Sequence, residues 1–439
     1  MKFSKYNHLF QLDGTSYIYN ILTTSIAQLD KQTENAINEN NFSALTNDTI
    51  DGLRAEGFIV SQDLDESLEY QYFCNTIKYG ISARTLSVTL LPTYNCNLAC
   101  PYCIQGSIKR INKMSKKEVE ACLKFIRNKI EEGKRTIPVQ RLSIFLFGGE
   151  PTLCKKELSY FCQECERIAE EEGIEIGFDM TTNMTLLDQN LLDMIKKYQI
   201  AFQVSIDGTK EQHDKRRIRK DGSGTYDLIL ENLQRLVDYG LKHLITIRIN
   251  IDNENLDSAE EILKSVKDYS NDIYFGFLTS LSGVNDNYTD KCVNSDCFSN
   301  VISTKLNNIT EKYGFVVPQS FGKKGPCSIA CQNKFFIDYN LDVFKCEMLL
   351  NRTDSKIGSI DYEGNFTPSN GFYKMMAFSP FNFKECVECK YLPVCGGGCP
   401  AQVYANSGKK DGDISEKNCC FNEALLNDYL KEYVSRLLK

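Results

Sequence analysis

Three cysteines in the run TYNCNLACPYCIQG, namely Cys96, Cys100 and Cys103, stand in a C-x3-C-x2-C spacing. Thiolates are soft ligands. Three of them this close in one loop can hold three irons of a 4Fe–4S cluster and leave the fourth iron without a protein ligand. A zinc site would want a fourth Cys or His nearby, and this loop has none. Pro101 and Tyr102 break any apolar periodicity, which argues against three thiols merely packed in a core. A second set runs Cys327, Cys331 and Cys346, then Cys386, Cys389, Cys395 and Cys399 as C-x2-C-x5-C-x3-C, then the adjacent Cys419 and Cys420. Eight thiolates would ligate two further 4Fe–4S clusters. A zinc ribbon is the alternative, because CxxC pairs alone do not separate zinc from iron.

These two sets hold eleven or twelve of the nineteen cysteines in the 439-residue chain, depending on how many of the terminal pair serve. The count is odd, the first ten residues MKFSKYNHLF carry no apolar signal region, and a chain this long can bury a large core. A disulfide framework is therefore not expected, and a cytoplasmic location is. No run of eighteen apolar residues predicts a membrane span. The net charge of −7 argues against a nucleic-acid partner. Cys162 and Cys165 form a CxxC on a predicted helix beside Leu158 and Phe161, so core packing is expected of them, and of Cys74, Cys122 and Cys154. Cys292 and Cys297, in the polar loop VNDNYTDKCVNSDC, keep a redox or ligand role open. The three histidines are too dispersed for a Cys–His nucleophile or a histidine metal site.

Something must position the first loop. Strands are predicted at Leu86–Leu91, Leu142–Phe147, Ile174–Met180, Ala201–Ile206, His243–Ile249 and Ile273–Leu278, with helical patterns between them. Ser115 and Glu118 form a capping box ahead of a face of Val119, Cys122, Leu123, Ile126 and Ile130 that stops at Gly133. A second helix runs from about Tyr226 to Tyr239. Six strands alternating with helices predict an α/β fold, a partial (β/α)6 TIM-type barrel with a parallel sheet. Functional groups in such barrels sit on loops after the strands' C-terminal ends. The cysteine loop follows strand one, FGGEP (Phe147–Pro151) strand two, TTN (Thr181–Asn183) strand three and SIDG (Ser205–Gly208) strand four. HDKRR (His213–Arg217) comes next, and Arg248 and Asn250 end strand five.

At these residues the chain resembles the radical S-adenosylmethionine (radical SAM) superfamily, on the C-x3-C-x-aromatic-C loop and the downstream GGEP. The resemblance runs from Leu86 to Leu278. It implies that S-adenosylmethionine chelates the open iron, and that its reductive cleavage yields a 5′-deoxyadenosyl radical that abstracts hydrogen from substrate. Gly148, Gly149 and Glu150 would then receive the methionyl ammonium, and Ser205 and Arg217 its carboxylate, with Asn183 in the same cofactor-binding set. A permanently cationic guanidinium suits a carboxylate fork. The alternative for Arg217 is a solvated charge in RRIRK. The second cysteine set resembles the SPASM domain, a C-terminal Cys-rich iron–sulfur domain. By that likeness Cys327, Cys331, Cys346 and Cys399 hold an inner auxiliary cluster, and Cys386, Cys389, Cys395 and one of Cys419/Cys420 an outer one. The cofactors are thus three 4Fe–4S clusters and S-adenosylmethionine, with an electron donor such as flavodoxin or ferredoxin. One departure is Leu341, where the family usually has Gly.

Two SPASM-bearing classes compete. Anaerobic sulfatase maturases oxidise a protein Cys or Ser to formylglycine. They carry an Asp base directly after the cysteine matching Cys346, where this chain has Glu347, the candidate catalytic base; it can accept a proton but reaches a methylene farther. Ribosomal-peptide maturases cross-link a short precursor through thioether, carbon–carbon or ether bonds. Residues 1–80 favour the second class. LFQLDGTSYIYN predicts two strands around an Asp13-Gly14 turn, SIAQLD a third and GFIV a fourth, with a helix from Asp65 leading to the barrel. This resembles, loosely, a small α+β winged-helix peptide-recognition domain, which would add the leader of a precursor peptide along its sheet edge. A structural buttress is the alternative. The expected domains are 1–80, 81–280 and 281–439. A non-enzymatic iron–sulfur or zinc scaffold would leave GGEP, Ser205 and Arg217 unexplained.

Overall fold

The computed structural model describes residues 1–106, 112–278, 286–293, 306, 309–315, 325–350, 352–406, 414–415, 419, 421 and 423–438. Cys297 and Cys420 lie outside the described residues.

The chain opens with β1 (Lys2–Phe3), β2 (Asn7–Leu12), β3 (Thr15–Asn20) and β4 (Ile26–Leu29). Asp13 and Gly14 join β2 to β3 with φ of 49° and 78°, the left-handed pair that a type I′ hairpin turn demands. The antiparallel sheet β2–β3–β4 is followed by helices α1 (Lys31–Asn38) and α2 (Asn47–Ala55), capped by Asp30 and Thr46. β5 (Ile59–Val60) then pairs with β1. The helix expected from Asp65 is α3 (Glu66–Asn75), with the Asp65 side chain accepting from the amides of Ser67 and Leu68.

These residues do not keep their core to themselves. Tyr6, Phe10, Tyr17, Tyr19, Ile21 and Tyr70 pack in one cluster with Leu392, Val394, Leu426, Leu430 and Val434. Lys5 Nζ and Ser67 Oγ both donate to the Val387 carbonyl, at 2.9 and 3.1 Å, and His8 Nε2 lies 2.7 Å from Asn427 Oδ1.

All six strands of the regular region are present: β6 (Thr85–Leu91), β7 (Arg141–Leu146), β8 (Glu175–Thr182), β9 (Ala201–Ser205), β10 (Ile245–Ile251) and β11 (Asp272–Phe277). They pair in parallel and in chain order. Helices α4 (Lys116–Lys134), α5 (Lys155–Glu172), α6 (Gln189–Tyr198), α7 (Lys210–Arg216), α8 (Tyr226–Asp238) and α9 (Ala259–Val266) lie between them. α4 starts on the expected Ser115–Glu118 capping box and buries Val119, Cys122, Leu123, Ile126 and Ile130.

The sheet is larger than six strands. β12 (Lys334–Asp338) pairs in parallel with the outer edge of β6, and β13 (Asp342–Phe344), β14 (Gly358–Ile360) and β15 (Phe366–Pro368) extend it antiparallel to ten. An open edge at β6 would expose a row of unpaired backbone groups; β12 covers it with buried Phe335, Phe336 and Ile337. The turn from β12 to β13 places Leu341 at a φ of 62° while its side chain is buried. A glycine meets that backbone freely, whereas leucine costs roughly 1–2 kcal/mol there. Burying a leucine contributes about the same amount, so the departure from the family pattern comes close to balance. Among the described residues no helix is long and apolar enough to cross a membrane.

Candidate functional site

The C-terminal ends of β6 to β10 bring the expected loops together. The Gly-Gly loop after β7 lies directly on the chain leading to Cys96: Gly149 N donates to Thr93 O at 3.0 Å and Glu150 N to Asn95 O at 2.9 Å. A Cβ on Gly148 would meet Thr93 O at 2.5 Å, and one on Gly149 would meet Asn95 O and Tyr94 O at 2.3 and 2.4 Å. Backbone oxygens cannot yield as a flexible side chain can, so close approach is the physical reason for both glycines.

That approach delivers Glu150 into the interior. Its Oε1 accepts from Thr152 N at 3.0 Å, Thr152 Oγ1 at 2.6 Å and Thr182 Oγ1 at 2.8 Å, and its Oε2 from Asn183 N at 2.7 Å. The carboxylate is buried, it makes no ion pair among the described residues, and burial raises its pKa despite these hydrogen bonds. A buried anion without a cation fits a cationic ligand group. Asn183 joins this carboxylate to the cysteine loop. Its Nδ2 donates to Asn97 Oδ1 at 2.9 Å and lies 3.8 Å from Cys96 Sγ, while its Oδ1 accepts from Thr185 N and Oγ1.

Cys96, Cys100 and Cys103 face one another closely enough that each thiol's ionisation opposes its neighbours'. Burial pushes Cys96 and Cys100 up to about 11, and Cys103 upward as well. Arg217 pulls all three the other way. Backbone contacts pin the loop, with Ala99 N donating to Ile218 O at 2.8 Å and Leu98 bridging to Arg219. Among the described residues no three His, Cys, Asp or Glu side chains close on a single metal ion. Three soft donors that raise one another's ionisation cost, each raised further by burial, fit a polynuclear iron–sulfur group whose positive irons stabilise thiolate and whose ligands spread over several irons.

Sequence reasoning missed the residue that organises the far wall. Asp207, the third letter of SIDG, is fully buried between Arg217, Tyr102 and Asn250. Burial alone would raise its carboxyl, but Arg217, then Arg216, then hydrogen bonds from Tyr102 and Asn250 outweigh it and hold the group at about 2. Ser205 is buried at the end of β9. His213 is a buried imidazole, lowered to about 4 by desolvation; its Nδ1 accepts from Asp207 N at 3.3 Å. It braces the loop in its neutral form. Arg216 pairs with the buried Asp252, which also accepts from Tyr288 at 2.6 Å. The only local signal for Asp207 was its place just beyond a strand end. Gln105 was also missed: it is buried two residues past Cys103, with neither amide atom partnered among the described residues.

The second cysteine set also converges. Cys327 feels Cys399 and Cys331, and Cys346 feels Cys327 and Cys399, although Cys399 lies more than fifty residues along the chain. Lys345 staples this region, its buried ammonium donating to the carbonyls of Cys331, Gln332 and Lys334. Cys386, Cys389 and Cys395 follow one another on two short helical turns beside the N-terminal residues, with Cys389 near Lys5 and Cys395 near Tyr70. Cys419 is exposed. Glu347 is exposed on the turn after Cys346. Cys162, Cys165, Cys122, Cys154 and Cys74 are buried, as core packing requires. Cys292 packs beside Tyr102, Tyr288 and Cys100, against the first cysteine loop.

Residues 90–266 match the Radical SAM superfamily. The chain is 24% identical to a cysteine-type anaerobic sulfatase-maturating enzyme of Clostridium novyi, over 77% of this chain and 95% of that protein. It is 22% identical to the radical SAM cyclopropyl synthase TigE of Paramaledivibacter caminithermalis, over 99% of this chain and 95% of that one. Streptococcus suis SuiB is similar in fold. Bound to S-adenosylmethionine it aligns at a TM-score of 0.53 and 17% identity, over 94% of this chain and 98% of SuiB. Bound to the precursor peptide SuiA it aligns at 0.51 and 16%, over 95% and 99%.

Proposed function

We propose, from the premise that residues 90–266 are a radical SAM domain and the chain a radical SAM enzyme, that it matures a ribosomally made precursor peptide by installing a cross-link. One observation carries the choice of substrate. The similarity to TigE runs through 99% of this chain and the fold likeness to SuiB, seen with its precursor peptide SuiA, through 95%, whereas the similarity to the sulfatase-maturating enzyme of C. novyi runs through 77%. The difference is close to the size of residues 1–80. There β4 is the outer strand of its sheet, pairing only with β3 among the described residues, and an extended leader could add to it as a further strand.

In this reading Cys96, Cys100 and Cys103 hold a 4Fe–4S cluster, Glu150 with the Gly148–Gly149 turn takes the ammonium of S-adenosylmethionine, and Arg217 with Ser205 takes its carboxylate. Asn183 keeps Glu150 and Cys96 in register. When bound, this pair supplies a 5′-deoxyadenosyl radical able to take a hydrogen atom from the peptide. Cys327, Cys331, Cys346 and Cys399 hold one auxiliary cluster. Cys386, Cys389, Cys395 and one of Cys419/Cys420 hold another, and flavodoxin or ferredoxin supplies electrons. The second reading, formylglycine formation on a sulfatase, draws on the C. novyi likeness, with Glu347 as base.

Mass spectrometry separates the two. The intact enzyme is given candidate short peptides read from the frames neighbouring its gene and, separately, a sulfatase peptide containing Cys. Cross-linking removes two hydrogens from the first. Formylglycine formation exchanges a thiol for an aldehyde in the second, and that result alone would replace the peptide reading. Added leader peptide without its core is expected to slow modification of dilute full-length precursor without slowing substrate-free cofactor cleavage.

A further inference from the structure

We propose that Asp207 is the positioning residue that presents Arg217 to the cofactor's carboxylate, a role that rests on the assignment of Arg217 above. Asp207 has no freedom of its own. Its Oδ2 accepts from Arg217 Nε at 2.7 Å and from the Tyr102 hydroxyl, and its Oδ1 from Asn250 N at 2.8 Å and Asn250 Nδ2 at 3.0 Å. Four donors fill the lone-pair positions of a carboxylate. Its backbone is held as well, the carbonyl by Asn255 Nδ2 at 2.8 Å and the amide by His213 Nδ1.

Arg217 is bound to this anchor through one nitrogen only. A guanidinium presents five donors in a planar fork. Asp207 occupies the Nε position, and neither terminal nitrogen of Arg217 makes a hydrogen bond among the described residues. The Nη1–Nη2 edge is therefore left for a second carboxylate, in an orientation fixed beforehand. Fixing it matters because a free arginine side chain loses rotamer entropy when a ligand orders it.

The neighbouring arginine shows the contrast. Arg216 is buried, pairs through Nη1 with Asp252, donates through Nη2 to Asn250 O at 3.0 Å and stands over the Tyr102 ring. Its terminal nitrogens are already used. Of the two adjacent guanidinium groups, only Arg217 keeps its end for a ligand. Tyr102 lies between two of the loop cysteines, so the same carboxylate also ties the cysteine loop to the arginine.

A double-mutant cycle on S-adenosylmethionine affinity tests this, with reconstituted, unreduced holoenzyme and iron measured beside each binding curve. Arg217→Ala is expected to weaken binding ten- to hundred-fold with iron retained, as loss of a charge-assisted contact implies. Asp207→Asn keeps size and loses charge; alone it should weaken binding about tenfold, and in the Arg217→Ala background it should add nothing, the mark of one residue acting through another. Additive losses, or unchanged affinity in Asp207→Asn, would overturn the positioning role while leaving Arg217 its carboxylate. Unchanged affinity in Arg217→Ala would remove the carboxylate assignment and the inference with it. Should Asp207→Asn lose iron, Asn250→Ala goes through the same cycle, since it keeps the Asp207 charge and removes the side-chain donor to its Oδ1, together with the acceptor of Arg248 Nε. A loss seen only where Arg217 is present supports the role, and equal losses in both backgrounds overturn it.

Discussion

Replacing Cys96, Cys100 and Cys103 together by Ala is expected to abolish cleavage of S-adenosylmethionine and to remove about a third of the iron, four of about twelve atoms. The effect should be all or none, because the second cysteine set gathers elsewhere and Cys292, the thiol packed against this loop, cannot replace three ligands. The fold should survive. The loop is held by backbone hydrogen bonds from Ala99 to Ile218, and the Gly-Gly turn is held on Thr93 and Asn95; none of these uses a thiol. Iron content and 5′-deoxyadenosine release, measured on one anaerobic preparation, check both halves. Cleavage retained in the triple variant would remove the loop from the chemistry. Unchanged iron would mean that it binds no cluster.

Deleting residues 1–64 is expected to cost the protein its fold, whether or not these residues also bind a leader. The deletion removes Tyr6, Phe10, Tyr17, Tyr19 and Ile21 and strips the cover from Leu392, Val394, Leu426, Leu430 and Val434. Each large core side chain lost typically costs about 3–5 kcal/mol, while a whole domain is stable by only about 5–15 kcal/mol. Cys386 packs in the same cluster, and Lys5 and Ser67 both hold the Val387 carbonyl between Cys386 and Cys389. The truncated chain should therefore be insoluble, or soluble with clearly less iron. A soluble truncated protein carrying full iron and cleaving cofactor at the normal rate would contradict the shared core. It follows that truncation cannot separate a buttress from a leader-binding role, and competition with free leader on the intact enzyme can.

The sequence was most legible where neighbours along the chain set the structure. The six parallel strands followed from period and length, α4 from its capping box, and the first hairpin from two residues able to take positive φ. The cysteine loop stood out because a strand end and three thiols are local features. Long-range facts were hidden. KFFID reads as a short apolar run in a region rich in Cys, Gly and Asn, and only pairing with β6, some 250 residues upstream, makes it β12. The D of SIDG looks like an ordinary turn residue until Arg217, Tyr102 and Asn250 arrive from three other segments. The core joining the chain's two ends has no local signature, since each half shows apolar residues that any fold would bury. Leu341 shows the reverse: its burial offsets a backbone conformation that propensity alone would give to glycine.

Transfer of a hydrogen atom from a peptide to the deoxyadenosyl group, beside Cys96, Glu150 and Arg217, is the step on which the proposed function turns. It is tested most directly with precursor peptide carrying deuterium in place of its carbon-bound hydrogens, incubated with reduced enzyme and unlabelled S-adenosylmethionine. The 5′-deoxyadenosine released is expected to acquire deuterium as the peptide is modified. Modified peptide accompanied by unlabelled 5′-deoxyadenosine would contradict it.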